Sequence, residues 1–411
     1  MASATYTGAR VPAALADLDG GGATLVDCAI VVRDGRIESV RPGGREAPPT
    51  APATTDLGGR VVLPGFIDAH NPRGEFWDAI DVLSRDRVNW TEDDLYRRGR
   101  FALRCAAAHG TVAMRTHVDT SADFGAVSHA VMARLREEWR GSVDLQTVSL
   151  CGIEDYGGAN GRKIADTALR HPGALLGGMP TMGAELDARL DAFLELAGER
   201  GVGVDLHVDE NGLAEAECLR HVAEAVLRTG FPYPVTCGHV CSLAVQEADR
   251  ARSTIGKVRE AGVNVISLPM CNLYLQGRPG EGGGRKTPYW RGVSLLHELR
   301  EAGVPVACAS DNVRDAFFAW GDFDMTEVLN ESVRIAHLDT RPGEALEMVT
   351  RTPAGIMGLP DKGRIAPGFD GRLVVFDARS FNELLARPGR GRRLPGFASA
   401  DAESPPYAEL G

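Results

Sequence analysis

The sequence predicts an α/β fold: a (β/α)8 barrel of the TIM type with a small β-sandwich domain built from both termini. Three observations carry this reading. Eight short apolar runs fall at residues 61–70, 111–117, 143–150, 174–180, 202–207, 234–239, 263–269 and 304–311. Segments of helical periodicity separate them, and eight such units in roughly 250 residues is the size of a closed parallel barrel. Outside this span both ends of the chain read as strand and turn. An open doubly wound sheet is the alternative, but no GxGxxG follows the first barrel run.

Taken in order, residues 24–32 are strand-like, Asp34-Gly35 signals a hairpin, and 36–40 supplies the partner strand. Residues 41–55, rich in Pro, Ala and Gly, read as a loose connection. Within the barrel span, Leu186, Leu190, Phe193, Leu194 and Ala197 recur at helical spacing, as do Leu219, Val222, Ala223, Val226 and Leu227. Gly110, Gly201, Gly230, Gly262 and Gly303 stand where helices should end. The β-run 371–377 is expected to pair with the N-terminal strands. The domains are therefore 1–63 and 361–411, which share the small β unit, and 64–360, the barrel. The stretch 388–411 is poor in apolar residues and expected to be loosely held, its basic cluster at 387–393 solvated.

Composition excludes several classes of function. A chain of 411 residues, 44% hydrophobic and 25% charged, is an ordinary globular sequence. A formal charge of −11 argues against a nucleic-acid partner. No apolar run is long enough to span a bilayer, so no membrane partner is expected. Met1-Ala2-Ser3-Ala4-Thr5-Tyr6 lacks the basic-then-apolar order of a signal peptide, and eight irregularly spaced cysteines give no disulfide framework. The expected location is the cytoplasm and the expected partner a small molecule, with homo-oligomer formation left open.

The chemistry lies at the strand ends. Val204-Asp205-Leu206-His207 ends a buried run on a histidine, with Glu210 three residues on. Val235-Thr236-Cys237-Gly238-His239 does the same, and Pro64-Gly65-Phe66-Ile67-Asp68-Ala69-His70 and Val306-Ala307-Cys308-Ala309-Ser310-Asp311 complete the set. In a parallel barrel the carboxyl ends of the strands converge on one mouth. That mouth would hold His70, His117, His207, His239 and Asp311, and imidazole with carboxylate suits Zn²⁺ or Fe²⁺. Cys237 and Cys241 bracket His239 but read as small buried hydrophobes. The glycine-rich stretch 278–286 lacks the glycine spacing of a phosphate loop and reads as a mobile lid.

These motifs resemble the amidohydrolase superfamily. Arg115-Thr116-His117-Val118-Asp119, Asp144-Leu145-Gln146, Leu273-Tyr274-Leu275-Gln276-Gly277-Arg278 and Asp311-Asn312-Val313-Arg314-Asp315 are similar to its cytosine deaminase branch. The resemblance implies one divalent metal ion, Zn or Fe, held by His70, His207 and Asp311. It implies that Glu210 shuttles a proton to a ring nitrogen, that His239 orients the attacking water, and that Asp311 takes its proton. His117, Asn272, Gln276 and Asn312 become the expected substrate contacts. None of the four lysines, Lys163, Lys257, Lys286 and Lys362, lies at the end of strand 4, where two-metal relatives carry a carboxylated lysine, so one metal is expected. Three departures stand out, one being that relatives carry about a dozen more residues in the loop before a segment like Asn71-Pro72-Arg73-Gly74. His70-Asn71-Pro72 replaces the family's His-x-His, and Gly152 stands where cytosine deaminases present a glutamine. The expected activity is hydrolytic deamination of a small nitrogen heterocycle. The alternatives are a cyclic amidase, which opens a lactam or hydantoin ring, and a metal-free binding barrel.

Overall fold

The computed structural model describes residues 3–18, 24–43, 53–71, 90–120, 125–277, 287–315 and 317–410, with His70, Asn71 and Ala400 described by backbone alone. Strands β1 (Ala4–Pro12), β2 (Leu25–Arg33), β3 (Arg36–Pro42) and β4 (Thr54–Pro64) open the chain. Asp34 and Gly35, both at positive φ, make the tight turn between antiparallel β2 and β3.

The eight barrel strands follow: β5 (Phe66–Asn71), β6 (Thr111–Asp119), β7 (Asp144–Leu150), β8 (Leu176–Gly178), β9 (Val204–Val208), β10 (Val235–His239), β11 (Asn264–Ser267) and β12 (Val306–Cys308). All pair in parallel and in chain order, β5-β6-β7 in one ladder and β8 to β12 in another. Bridges Val148–Leu175 and Gly152–Met179 join β7 to β8. At the other seam Ser310, just past β12, donates its N–H (3.1 Å) and hydroxyl (2.6 Å) to the Asp68 carboxylate of β5. This is the strand order of a (β/α)8 barrel.

The connecting helices are α1 (Glu92–Ala108), α2 (Gly125–Glu138), α3 (Gly158–Ala168), α4 (Leu186–Arg200), α5 (Cys218–Thr229), α6 (Ala248–Glu260), α7 (Pro269–Leu275), α8 (Leu296–Glu301), α9 (Met325–Ile335), α10 (Pro342–Glu347), α11 (Arg351–Ile356) and α12 (Phe381–Ala386). Thr91 caps α1 by accepting from the Asp94 N–H. The expected stripe of α4 is buried throughout. That of α5 is buried except for Leu227, which lies one position beyond the apolar face and is 41% exposed. No helix among the described residues is long and apolar enough to cross a membrane.

The first barrel run, 61–70, proves to be two strands. Leu63 and Pro64 pair with Val374 and Leu373 of β13 (Leu373–Val375), so β4 belongs to the small sheet and β5 begins only after Gly65. A Cβ at residue 65 would strike Val112 of β6, so only glycine lets the chain step from sheet to barrel here. The small unit is a five-stranded sheet, β13-β4-β1-β2-β3, drawn from both ends of the chain; among the described residues it is one sheet and not a two-layer sandwich.

The stretch after α12 is not loose. Arg393 bridges to Val375, and Arg392 donates to the His109 carbonyl (3.1 Å) and to Asp324 (2.7 Å), its side chain only 9% exposed. Ion pairs hold this segment where apolar residues are few, which is why its composition misleads.

One buried histidine gives the barrel a pH response independent of the mouth. His129 of α2 is 3% exposed, and its Nε2 lies 3.0 Å from the Thr120 hydroxyl beyond β6. Burial, helped by His171, holds its pKa down at about 4. The unfolded chain then binds the proton first, so stability present above about pH 6.5 is lost as pH falls towards 4, by about 3 kcal/mol. Thermal midpoints from pH 7 to 4.5 should therefore fall less steeply in His129→Gln than in the wild type; parallel curves would count against this account.

Candidate active site

The barrel mouth is built by backbone turns as much as by strand ends. Asp209, His239, Val240 and Asp311 all have positive φ, between +49° and +70°. Such geometry is rare for non-glycine residues, and for β-branched Val240 especially so. It clusters where a surrounding frame holds it. Asp209 turns away from the mouth and caps α5, accepting from the N–H groups of Cys218 (3.0 Å) and Leu219 (2.9 Å). Glu210 is thereby left to point inward.

Three expected residues meet there. Candidate ligand atoms of Glu210, His239 and Asp311 lie within 4.8 Å of one another, and all three residues are buried. His239 Nδ1 is 3.2 Å from Glu210 Oε1 and 4.0 Å from Asp311 Oδ2. His207 stands beside this group, its ring centroid 5.1 Å from that of His239. His117 meets His207 edge-on at 4.6 Å. His70 closes β5, but its side chain lies outside the described residues, as do Pro72 and the stretch 278–286 read as a lid.

Three of the four expected substrate contacts also make hydrogen bonds within the protein. Asn272 Nδ2 lies 2.9 Å from Glu210 Oε1 and 3.3 Å from His239 Nδ1, so one amide group fixes both residues. Its Oδ1 accepts from the Cys241 thiol at 3.3 Å. Gln276 donates to the Glu210 carbonyl at 3.0 Å, and Asn312 donates to Asp315 at 2.7 Å. Their contacts make these amides the frame around the carboxylates.

Beneath the mouth lies a network of residues that the motifs contain but to which they assign no role. Arg115 of β6 donates to Asp205 of β9 (2.7 Å), to Gln146 of β7 (2.7 Å) and to the Ile356 carbonyl (3.2 Å). The other Asp205 oxygen lies 3.4 Å from His117 Nε2. Burial pushes the Asp205 carboxyl up, but His117 and Arg115 outweigh it and hold the pKa below the usual range.

The mouth carboxyls behave in the opposite way. Burial drives Glu210 well above the usual range against the pull of Asn272. Burial raises Asp311 to about 8, with His239 opposing and Glu210 adding. Burial, with His117 and His239, holds His207 well below its usual value, and burial lowers His239 despite Asp311. Two buried carboxyls beside two neutral imidazoles form a donor set short of positive charge. Neither Asp311 oxygen has a hydrogen-bond partner of ordinary geometry among the described residues. Oxygen and nitrogen donors arranged so fit a divalent cation.

The wall at β7 differs from the glutamine of the resemblance. Strand pairing continues to Gly152, which falls in the same alternation as Gln146. The space a Cβ would take at Gly152 is filled by the Glu154 carboxylate.

Comparison with known proteins agrees with this architecture. The model of the amidohydrolase family, Amidohydro_3, matches residues 97–389. The chain is 43% identical to pterin deaminase of Rhizobium rhizogenes over 404 residues, covering 94% of this chain and 90% of that protein. It is 26% identical to N-isopropylammelide isopropyl amidohydrolase of Pseudomonas sp. strain ADP, covering 79% of this chain and 82% of that one. The crystal structure of 5-methylcytosine deaminase from Klebsiella pneumoniae superposes with a TM-score of 0.79 at 24% identity, covering 93% of this chain and 94% of that one. The chain belongs to the amidohydrolase family.

Proposed function

We propose that this protein is a metal-dependent hydrolytic deaminase of a fused 2-amino-4-oxopyrimidine ring of the pterin class. The observation that carries the reading is the 43% identity to a pterin deaminase across nearly the whole chain. Residues 64–360 are read as the hydrolase barrel, and 1–63 with 361–411 as the small β domain. The proposed location is the cytoplasm, and the partner is the small heterocycle.

His70, His207 and Asp311 would hold one zinc or iron ion, with Glu210 and His239 lining the same space. When bound, such an ion makes water acidic enough to supply hydroxide near neutral pH. Glu210, oriented by Asn272, holds a proton for the ring nitrogen beside the attacked carbon. His239 orients the attacking water and Asp311 accepts its proton. The amino group then leaves as ammonia with the proton that Asp311 took, and the new hydroxyl returns a proton to Glu210 as the ring carbonyl forms. Glu154 offers a carboxylate where an amide would suit cytosine, and an acceptor of this kind suits a ring edge made of N–H donors.

Ammonia release tests the reading on protein purified without chelator and assayed for metal by elemental analysis. About one equivalent of zinc or iron and ammonia from pterin, in preference to cytosine, is the expected result. Ring opening without ammonia would replace it with cyclic amidase activity. A metal-free protein that binds pterin unchanged would make it a binding barrel.

A further inference from the structure

We propose that Tyr407 is a positioning residue for the loop that carries Asp311, and that it acts through Arg314. The inference rests on the reading of Asp311 as part of the active site. The segment leaving β12 places two residues in left-handed backbone, Asp311 at φ +62° and Arg314 at φ +58°. Residues other than glycine keep that conformation only where their surroundings hold it.

One brace is internal. The Asp315 carboxylate accepts from the Asn312 amide (2.7 Å) and from the N–H groups of Phe317 (2.9 Å) and Phe318 (3.1 Å). The second comes from the far end of the chain. Arg314 donates through its N–H to the Trp320 carbonyl (3.3 Å) and through Nε to the Gly321 carbonyl (3.1 Å). Its guanidinium carbon lies 3.6 Å from the centroid of the Tyr407 ring and 5.7 Å from that of Phe101 in α1. The Tyr407 hydroxyl donates to Asp322 Oδ1 at 3.4 Å, and the other oxygen of Asp322 pairs with His109 Nε2 at 2.8 Å. An ion pair between Glu409 and Arg104 fixes the turn Tyr407–Leu410 on α1.

Arg314 therefore packs against two aromatic rings that also touch each other, centroids 6.2 Å apart, Phe101 on the barrel and Tyr407 on the tail. Cation–π attraction favours this arrangement, and the Nε contact to the Gly321 carbonyl, beside the backbone contact of Arg314 to Trp320, links the position of the guanidinium to the path of the loop. Tyr407 touches neither the mouth nor any expected ligand, and its turn lies beyond the residues matched by the family model. Without its ring the guanidinium faces water on one side, and the loop gains alternatives in which Asp311 is displaced. A displacement of 1 Å at a reacting group is enough to cost turnover.

Hydrogen exchange read by mass spectrometry on the full chain tests this, comparing the wild type with Tyr407→Ala and Tyr407→Phe. Exchange in the segment around Asp311 should quicken about ten-fold in Tyr407→Ala while that of α1 stays unchanged. For ammonia release, kcat should fall about ten-fold with KM within about two-fold, because positioning and not affinity is lost. Tyr407→Phe keeps the ring over the guanidinium and should stay within about two-fold of the wild type on both readouts. Unchanged loop exchange in Tyr407→Ala would overturn the proposal. So would equal quickening of α1 and loop, which marks general loosening, or a Phe variant as damaged as the Ala variant. Exchange needs no turnover, so it judges the brace even if the wild type releases no ammonia; that result would count against the proposed activity alone.

Discussion

Asp311→Asn should lose ammonia release by at least about a thousand-fold and yet, once stripped of metal, melt at a higher temperature than the wild type. The two halves have one cause. Asp311 is fully buried, with Glu210 in the same cluster, and the Asp311 carboxyl is pushed up to about 8 by burial first and by Glu210 in addition. A carboxyl whose pKa is higher in the folded state than in the unfolded chain stabilises the fold below its unfolded value, near 4, and that stability is lost as pH rises to about 8. Asparagine has nearly the same shape and no charge, so this pH-dependent loss disappears. The difference in midpoint between stripped variant and stripped wild type should then widen from pH 6 to pH 9. Adding back Zn²⁺ should raise the midpoint of the wild type and leave the variant nearly where it was, because binding to the folded state alone stabilises it. A gap that does not grow with pH would mean that Asp311 is not the strained group. Equal gains on adding metal would mean that it is not a ligand.

What the sequence made legible follows from how buried parallel strands are encoded. All eight barrel strands coincide with apolar runs that the sequence displays, β5, β6 and β9 running one or two residues past them, because strands covered on both faces are hydrophobic at consecutive positions. The same property hid the break at Gly65. The run 61–67 is apolar throughout, and nothing in it announces that Leu63 pairs with Val374 while Phe66 begins the barrel. In the site, the histidines and carboxylates at strand ends were visible as terminators of apolar runs. The network beneath them received no role, although the pattern existed. Asp68, Arg115 and Asp205 each stand two residues before a strand-end histidine, and alternation places residues i and i+2 on one face. A charged residue inside an apolar run, in step with a histidine, is the signal that finds them. The roles of Asn272 and Gln276 were not legible, since their partners are set by how α7 packs over the mouth. The docking of the tail was equally hidden, because it uses ion pairs and a cation–π contact that leave no periodicity.

The Arg115–Asp205 pair should prove the most expensive polar contact in the barrel to break. Arg115 is 2% exposed and Asp205 fully buried, and the guanidinium is also committed to Gln146 and to the Ile356 carbonyl. Removing one member of a buried pair leaves the other charge without compensation, at a cost of about 3–5 kcal/mol. That is a large share of the stability of a folded domain. Arg115→Met should therefore lower the thermal midpoint by roughly 5–10 °C, with scan rates matched because unfolding of a chain this long need not be reversible. Arg115→Lys keeps the charge but not the fork that reaches two strands and the Ile356 carbonyl, and should fall between the two. In Arg115→Met/Asp205→Leu the orphaned carboxylate is gone, so more than half of the lost stability should return. Activity should not return with it, because the Asp205 oxygen beside His117 is gone and His117 in turn packs against His207. If the double variant recovered both stability and turnover, the network would be a structural filler. If it recovered neither, the loss would come from the packing of the long arginine stem and not from its charge.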